Sequence, residues 1–379
     1  MRPLCIALLC TFALGGLGCD SSSRLNSQRE QTAANAPPKA PLPSRVAELT
    51  EAQKKAAETL RAAGIELAEN SAGQITEVNL GATEATDALA AQIAQFDQLQ
   101  KLTIRESAMS TTGWQTLGKL HGLQQLDLRD CPLDNAQLAA VVSDLSQLRA
   151  LRLNGTSGRT TVDDDGLAPL ANCPELKVLA IDGLWVSGLG LEHLKKNLKL
   201  SELYAAGTTL DDDAVAILAG LPALRKLRLS QTTVGTDGLA KLDQLPLEDL
   251  DVSEASSIND ETLAVIGKMK TLKRLNLWRD TISDAGVEHL AGLTQLEWLN
   301  VDNTHLTDAG LPYLKDMTSL KFLHLGSTGV TDAGMPALVS LKSLKDLKVT
   351  RTAVTEEGVQ VVREAIPGIN IQLKYIEGE

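Results

Sequence analysis

Residues 320–341 read LKFLHLGSTGVTDAGMPALVSL, and Leu344 begins the same pattern again. In Leu320–Leu325, alternate positions of an extended segment face opposite sides. Leu323 and Leu325 therefore point inward, while Phe322, His324 and Gly326 point outward. Thr328 ends the strand and Val330 turns back into the interior. Thr331 and Asp332 open a helix, Thr331 as N-cap and Asp332 favourable against the helix dipole. Gly334 permits close packing, and Met335, Leu338 and Leu341 supply the apolar helix face. One unit is thus a strand and a helix that return the chain beside its own start.

The string Leu-x-x-Leu-x-Leu recurs from Ile75/Val78/Leu80 to Leu344/Leu347/Val349. First positions fall at Ile75, Leu99, Leu123, Leu148, Leu176, Leu200, Leu224, Leu247, Leu272, Leu296, Leu320 and Leu344, in steps of 23–28 residues. Twelve units at such a period predict a solenoid. Each unit then buries its apolar face only against its neighbours, so most residues answer to architecture.

The 379 residues are 43% hydrophobic but only 3% aromatic, so Leu, Val, Ile and Ala must fill the interior. Net charge is −12 with both signs mixed along the units, which excludes the basic stripe of a nucleic-acid binder. Cys131 and Cys173 lie in different units, which predicts two buried small apolar residues and no structural disulfide.

Segments flank the repeats. Residues 1–18 read as a signal peptide: Arg2 is the basic start, and the apolar stretch from Leu4 to Leu14 is too short to span a bilayer. Leu17-Gly18-Cys19 resembles a bacterial lipoprotein box, departing from it at Gly16, and implies lipidation of Cys19 and membrane anchoring, with simple secretion as the runner-up. Residues 19–44, with Ser21–Ser23, Ala33–Pro38 and Pro41–Ser44, read as the lipidated Cys and a flexible tether. Residues 45–74 read as an N-terminal helical cap. There Thr50 and Gln53 have capping-box spacing, Ala56, Ala57, Leu60 and Ala63 form an apolar stripe, and Gly64 ends the helix. The repeats occupy 75–366. Residues 367–379 supply a closing strand, Ile369/Ile371/Leu373, and a tail.

These residues resemble leucine-rich repeat proteins, in the variant whose convex segment opens Thr-Asp-Ala-Gly-Leu. That motif is complete at Thr307–Leu311 and nearly so at Ser283–Val287 and Thr331–Met335. The likeness is nearest to bacterial envelope leucine-rich repeat lipoproteins and more distant to the cysteine-containing repeats of ubiquitin-ligase adaptors. It implies an α/β leucine-rich repeat solenoid, a right-handed α/β horseshoe with a parallel concave β-sheet and helices on the convex side. The chain departs from the commonest pattern after the strand, where Asn or Cys is usual. Thr83, Thr156, Thr208, Thr232, Thr304, Thr328 and Thr352 stand there, each expected to satisfy backbone groups of the neighbouring turn. Ser107 and Cys131 substitute, and Leu184, Ala255 and Asp280 break the ladder.

No His-Glu-x-x-His, Gly-x-Ser-x-Gly, phosphate-binding Gly-Lys loop or Cys-x-x-Cys occurs, which argues against an enzyme and implies no catalytic residues and no cofactor. His193 and His289 share a Glu-His-Leu context and read as repeat echoes. Asp163–Asp165 and Asp211–Asp213 read as helix caps, with calcium as the alternative. The 28-residue step carries an insertion, Ser157–Thr161, read either as a neutral rim loop or as a functional one.

The candidate site is on the outward face of the sheet. The first outward row reads Lys226, Asp249, Arg274, Trp298, Phe322, Asp346. The second reads Arg228, Asp251, Asn276, Asn300, His324, Lys348. The third reads Ser230, Ser253, Trp278, Asp302, Gly326, Thr350. Trp278, Trp298 and Phe322 are expected to converge, bordered by Arg274, Asn276, Asn300, Asp302 and His324. Aromatics with an Arg on a solvated face suit a protein or peptide ligand, and a glycan is the other candidate because a sugar ring stacks on such rings. A structural spacer without a ligand is the third possibility.

Overall fold

The structure, a computed structural model, describes residues 49–374. The signal peptide, the lipidated Cys19, the tether and residues 375–379 lie outside the described residues, as do residues 45–48 of the cap.

Fourteen strands form one sheet in chain order: β1 (Glu66–Glu69), β2 (Ile75–Asn79), β3 (Lys101–Thr103), β4 (Gln125–Asp127), β5 (Ala150–Asn154), β6 (Val178–Asp182), β7 (Glu202–Tyr204), β8 (Lys226–Arg228), β9 (Asp249–Asp251), β10 (Arg274–Asn276), β11 (Trp298–Asn300), β12 (Phe322–His324), β13 (Asp346–Lys348) and β14 (Asn370–Gln372). From β2 onward neighbours are parallel and pair equivalent positions, as in Arg274↔Trp298↔Phe322↔Asp346. The inward Leu323, Leu325, Val330, Met335, Leu338 and Leu341 are fully buried, as are their counterparts along the chain. This is the α/β leucine-rich repeat solenoid.

Helix α1 (Glu51–Ala62) precedes the sheet. The Thr50 hydroxyl accepts from Gln53 N–H at 3.2 Å, while the Gln53 side chain accepts from Thr50 N–H at 3.0 Å. Ala56, Ala57 and Leu60 are buried, and Gly64 takes φ +78° to end the helix. Strand β1 was not anticipated. It runs antiparallel to β2, so the first repeat strand has a hydrogen-bonded neighbour and its edge is covered.

Three convex segments are 3₁₀ rather than α-helical: Asp165–Asn172, Leu311–Leu314 and Met335–Ser340. Each contains a proline, Pro169, Pro312 or Pro336, which lacks the N–H that an α-helix uses.

Two side-chain roles differ from expectation. The ladder Thr works within its own unit: Thr208, Thr232, Thr304, Thr328 and Thr352 each donate Oγ1–H to the carbonyl three residues back, at 2.6–2.8 Å. The motif Asp, expected to act on its own helix dipole, reaches the next unit. Asp284 accepts from Thr307 N–H at 2.8 Å and Thr307 Oγ1–H at 2.6 Å. Asp308 holds Thr331 and Asp332 holds Thr355 in the same way. Asp87–Ser110, Asp164–Ser187 and Asp260–Ser283 extend the series.

The motif Gly follows from this clamp. A Cβ on Gly190 would lie 2.6 Å from Asp164 Oδ1, and one on Gly238 2.5 Å from Asp212 Oδ1. At Gly113 the obstacles are Asp87 and, at 3.1 Å, Met109 Cβ. Gly113 lies inside a regular helix, Thr111–Gly118, where Ala is normally about 1 kcal/mol better than Gly. Gly113→Ala is therefore expected to destabilise the parent but to stabilise an Asp87→Ala background, measured by denaturant melts of the four proteins of the cycle. The same sign in both backgrounds contradicts the clamp.

Candidate functional site on the open face of the sheet

The first two outward rows lie on the open face, in the register read from the sequence, whereas Ser230, Ser253 and Thr350 of the third row are buried. The expected cluster is resolved into two parts. In the first row Phe322 stacks on Trp298 with centroids 5.0 Å apart and planes 6° from parallel. The Arg274 guanidinium covers Trp298 at 4.1 Å from its centroid. Arg274 and Phe322 come from the strands on either side of β11, so both faces of the indole are occupied. Stack and cation–π contact are each worth about 0.5–1.5 kcal/mol, which holds the patch in one arrangement. His324 meets Phe322 edge-on at 6.3 Å.

Trp278 does not join this stack. It sits four residues further along its strand than the first row, about 13 Å at strand rise. Its ring contact is Arg279, 5.4 Å away. It walls a separate hollow of about 480 Å³ lined also by Arg279, Asn300, Asp302, Asn303, His324, Ser327, Lys348, Thr350, Arg351 and Gln372.

Asn276, expected at the border of a ligand, is engaged internally. Its Oδ1 accepts from Trp278 N–H at 3.3 Å, and its Nδ2 donates to Asp251 at 3.1 Å and Ser253 at 3.2 Å. It positions Trp278. Asn300 Oδ1 likewise accepts from Asp302 N–H at 3.0 Å, and its side chain lines the hollow. His324 Nε2 lies 4.0 Å from Asp302 Oδ1. Burial pushes the His324 pKa down; Asp302 opposes that and Lys348 adds to it.

Much of the hollow comes from residues that the outward rows did not include. Arg279, Asn303, Ser327 and Arg351 follow the third row and adopt φ of +50° to +60°, as do Gln231 and Glu254. Gly183 and Gly207 hold the same place in earlier units. A side chain in this conformation costs about 1–2 kcal/mol, yet six successive units carry one. The available signal was the change from Gly to polar residues at this place after Gly207.

The other candidates have structural duties. Asp163 holds Asn135 and Asp165 N–H, Asp164 holds Ser187 and Gly190 N–H, and Asp211 caps the helix Asp212–Leu218 through Ala214 N–H. In the insertion, Arg159 pairs bidentately with Glu106 at 2.6 and 2.5 Å, and buried Thr160 donates to the Cys131 carbonyl. This loop is a strut two units long. Cys131 and Cys173 are free and buried, and burial pushes their thiols up to about 12 and about 11. Trp185, 78% exposed, and Leu189, 72% exposed, are an apolar pair that the reading of the rows overlooked.

Asp280 lies just after Trp278 and Arg279, where seven other units carry Thr, and is 2% exposed. Its Oδ1 accepts from Ala255 N–H at 3.1 Å, while Oδ2 is buried without a partner. Burial pushes its pKa up to about 8; the Ala255 N–H lowers it, and Asp251 and Glu254 raise it further. The unfolded chain ionises this group near 3.9. Between these values the native state holds the extra proton, so stability falls as pH rises from about 4 to about 8. Asp280→Thr is expected to remove that decline and to add about 1–3 kcal/mol at pH 8, measured by denaturant melts across the window. Parallel pH profiles for parent and variant contradict the assignment.

Comparison with known proteins agrees with the fold. A leucine-rich repeat family profile, described as Leucine Rich repeat, matches residues 316–339. A sequence search of curated proteins finds no match. Among solved structures, the internalin inlF of Listeria monocytogenes superposes with a TM-score of 0.60 at 16% identity, over 89% of this chain and 99% of that one. The Rad7–Elc1 complex of yeast is similar at 0.51 and 20% identity, over 76% of this chain and 83% of that one. Repeat, sheet and comparisons agree on the leucine-rich repeat fold for the chain.

Proposed function

We propose that the protein is a non-enzymatic recognition scaffold of the bacterial cell envelope, held to a membrane by a lipid on Cys19, and that it binds a protein or peptide on the open face of β10–β14. The observation that carries this reading is the Arg274–Trp298–Phe322 stack beside the polar hollow. Preorganised aromatics with an Arg next to hydrogen-bonding groups are the composition of a protein hot spot. A sugar ring needs a free indole face, and both faces of Trp298 are covered, which favours a protein ligand over a glycan. The structure from yeast whose fold is similar is a complex of Rad7 with Elc1, so the fold is compatible with such a role. The leader residues support export, and the motif ending at Cys19 supports the anchor.

The test is affinity capture from the envelope fraction of the source cells with the protein and with Trp298→Ala/Phe322→Ala. The parent is expected to retain a partner that the variant loses by about 30-fold or more in affinity, the scale of a hot-spot truncation. Equal retention contradicts the site. In the same cells Cys19→Ser is expected to leave the membrane fraction; a variant that stays there contradicts the lipid anchor.

A further inference from the structure

The unit that starts at Leu176 breaks two lateral rules that its neighbours keep. The Asp clamp joins Asp164 to Ser187 before it and Asp212 to Gly235 N–H after it. Between these two clamps Gly188 stands in the place of the Asp. The motif Gly of the following unit is correspondingly Ala214, whose Cβ faces Gly188 where a carboxylate would otherwise lie. A hollow of about 310 Å³ opens there between the convex segments Gly188–Glu192 and Asp212–Leu218, walled by Leu189, Ala214 and Ile217. The second break is Trp185. In the three following units Thr209, Thr233 and Ser257 hold its place, and each donates a hydroxyl to a carbonyl of the preceding unit at 2.6–3.1 Å. An indole at this position forfeits that bond.

What this unit loses laterally it presents to solvent. Of the four large apolar side chains exposed among the described residues it supplies three: Trp185 and Leu189 where its convex segment begins, and Leu198, 55% exposed, where that segment ends. The two ends differ in charge. Asp163 pairs its backbone with Trp185, and Asp211 and Asp213 line the hollow with Leu189. Asp163 and Asp211 accept from neutral groups alone, and Asp213 meets Lys241 at 3.6 Å. The other end reads Lys195-Lys196-Asn197-Leu198-Lys199. Lys195 pairs with Glu192 and Lys199 with Glu175, while Lys196 makes no ion pair among the described residues. Ser201, three residues after Leu198, lies between Lys177 and Arg225 in the row that leads into the strands. Neither of these cations is ion-paired among the described residues, so this end stays basic after its own pairs are counted.

We propose that this unit is the contact between two copies of the chain, related by a twofold axis through its convex segment, in which Trp185, Leu189 and the hollow of each copy receive Leu198 and its flanking lysines from the other. A twofold lays each end of the unit on the opposite end of its partner, so both contacts form together and the assembly closes. The unlike charges of the ends set the orientation. Burial of the three apolar side chains of each copy supplies the gain, and an exposed apolar patch rimmed by polar groups is the mark of such a contact. An anionic bilayer is disfavoured, because the Asp rim around Trp185 would face its headgroups. The contact lies on the convex side, leaves the open face of β10–β14 accessible in both copies, and does not rest on the reading of that face.

The test is sedimentation equilibrium of the Cys19→Ser protein, the whole chain without the proposed lipid. It is expected to form a dimer at about 100 μM, weakened as salt rises. Trp185→Thr/Leu189→Ala installs residues that other units carry at these places, and is expected to weaken the dimer by about 30-fold or more; thermal melts verify that it folds. Lys196→Glu and Asp213→Lys are each expected to weaken self-association, and an equimolar mixture of the two to recover it, because in a mixed dimer the two reversed ends face each other. A monomer at about 100 μM overturns the inference, as does a dimer that Trp185→Thr/Leu189→Ala leaves intact, a mixture that recovers nothing, or growth beyond a dimer. Flotation of a monomer with phosphatidylglycerol vesicles, lost in Trp185→Thr/Leu189→Ala, also overturns it and assigns the patch to a lipid surface.

Discussion

No unit of this chain satisfies itself, and the lateral bond between neighbours is the constraint from which the structure follows. A strand of three to five residues has no stability alone. Here each strand pairs with the equivalent positions of the next and buries its Leu residues in a layer shared with it. The Asp clamp applies the same logic to the convex side. A carboxylate in one unit takes an N–H and an O–H from the next, and it occupies the space that only a glycine leaves open. The two ends are handled differently. Helix α1 and antiparallel β1 cover the first layer, while β14 continues the parallel pairing beyond the last unit.

Because the inward and convex positions are taken up by stacking, variation is left to the outward rows and to the turn that follows them. Along β7–β10 the rows hold alternating charges that pair with one another. From β10 onward aromatics interrupt the rows, while Arg279 in the following turn still pairs with Glu254 at 2.8 Å. The stack and the hollow therefore arise where aromatics enter the outward rows. Asn276 shows how closely structure and site are joined, since a side chain that ties its own unit to the preceding one also places the backbone of Trp278.

The period, the inward Leu set, the Thr50 capping box and the stacking of Trp298 on Phe322 are all legible in the residues, because each follows from a spacing of two, three or 24. Interactions between units are less so. The Asp of Thr-Asp-Ala-Gly reads as a local cap, since nothing in one unit reveals a partner 23 residues away. The 3₁₀ form of Leu311–Leu314 and Met335–Ser340 was signalled by Pro312 and Pro336 but outweighed by the helical period. Strand β1 is polar and short, without the alternation that marks a strand. In the site, Arg279 and Arg351 escaped because rows counted along a strand stop before the turn. The separation of Trp278 from Trp298 was implicit in their different rows, and is a matter of distance along the strand rather than number of units apart.

The central claim is that recognition occurs on the open face of β10–β14. Hydroxyl-radical footprinting of the protein, free and bound to its captured partner, tests it directly, because oxidation reports the solvent access of each aromatic side chain in one experiment. The account predicts that the partner protects Trp278, Trp298 and Phe322 and leaves Trp185 as reactive as in the free protein. Protection of Trp185, with Trp298 and Phe322 unchanged, would contradict it.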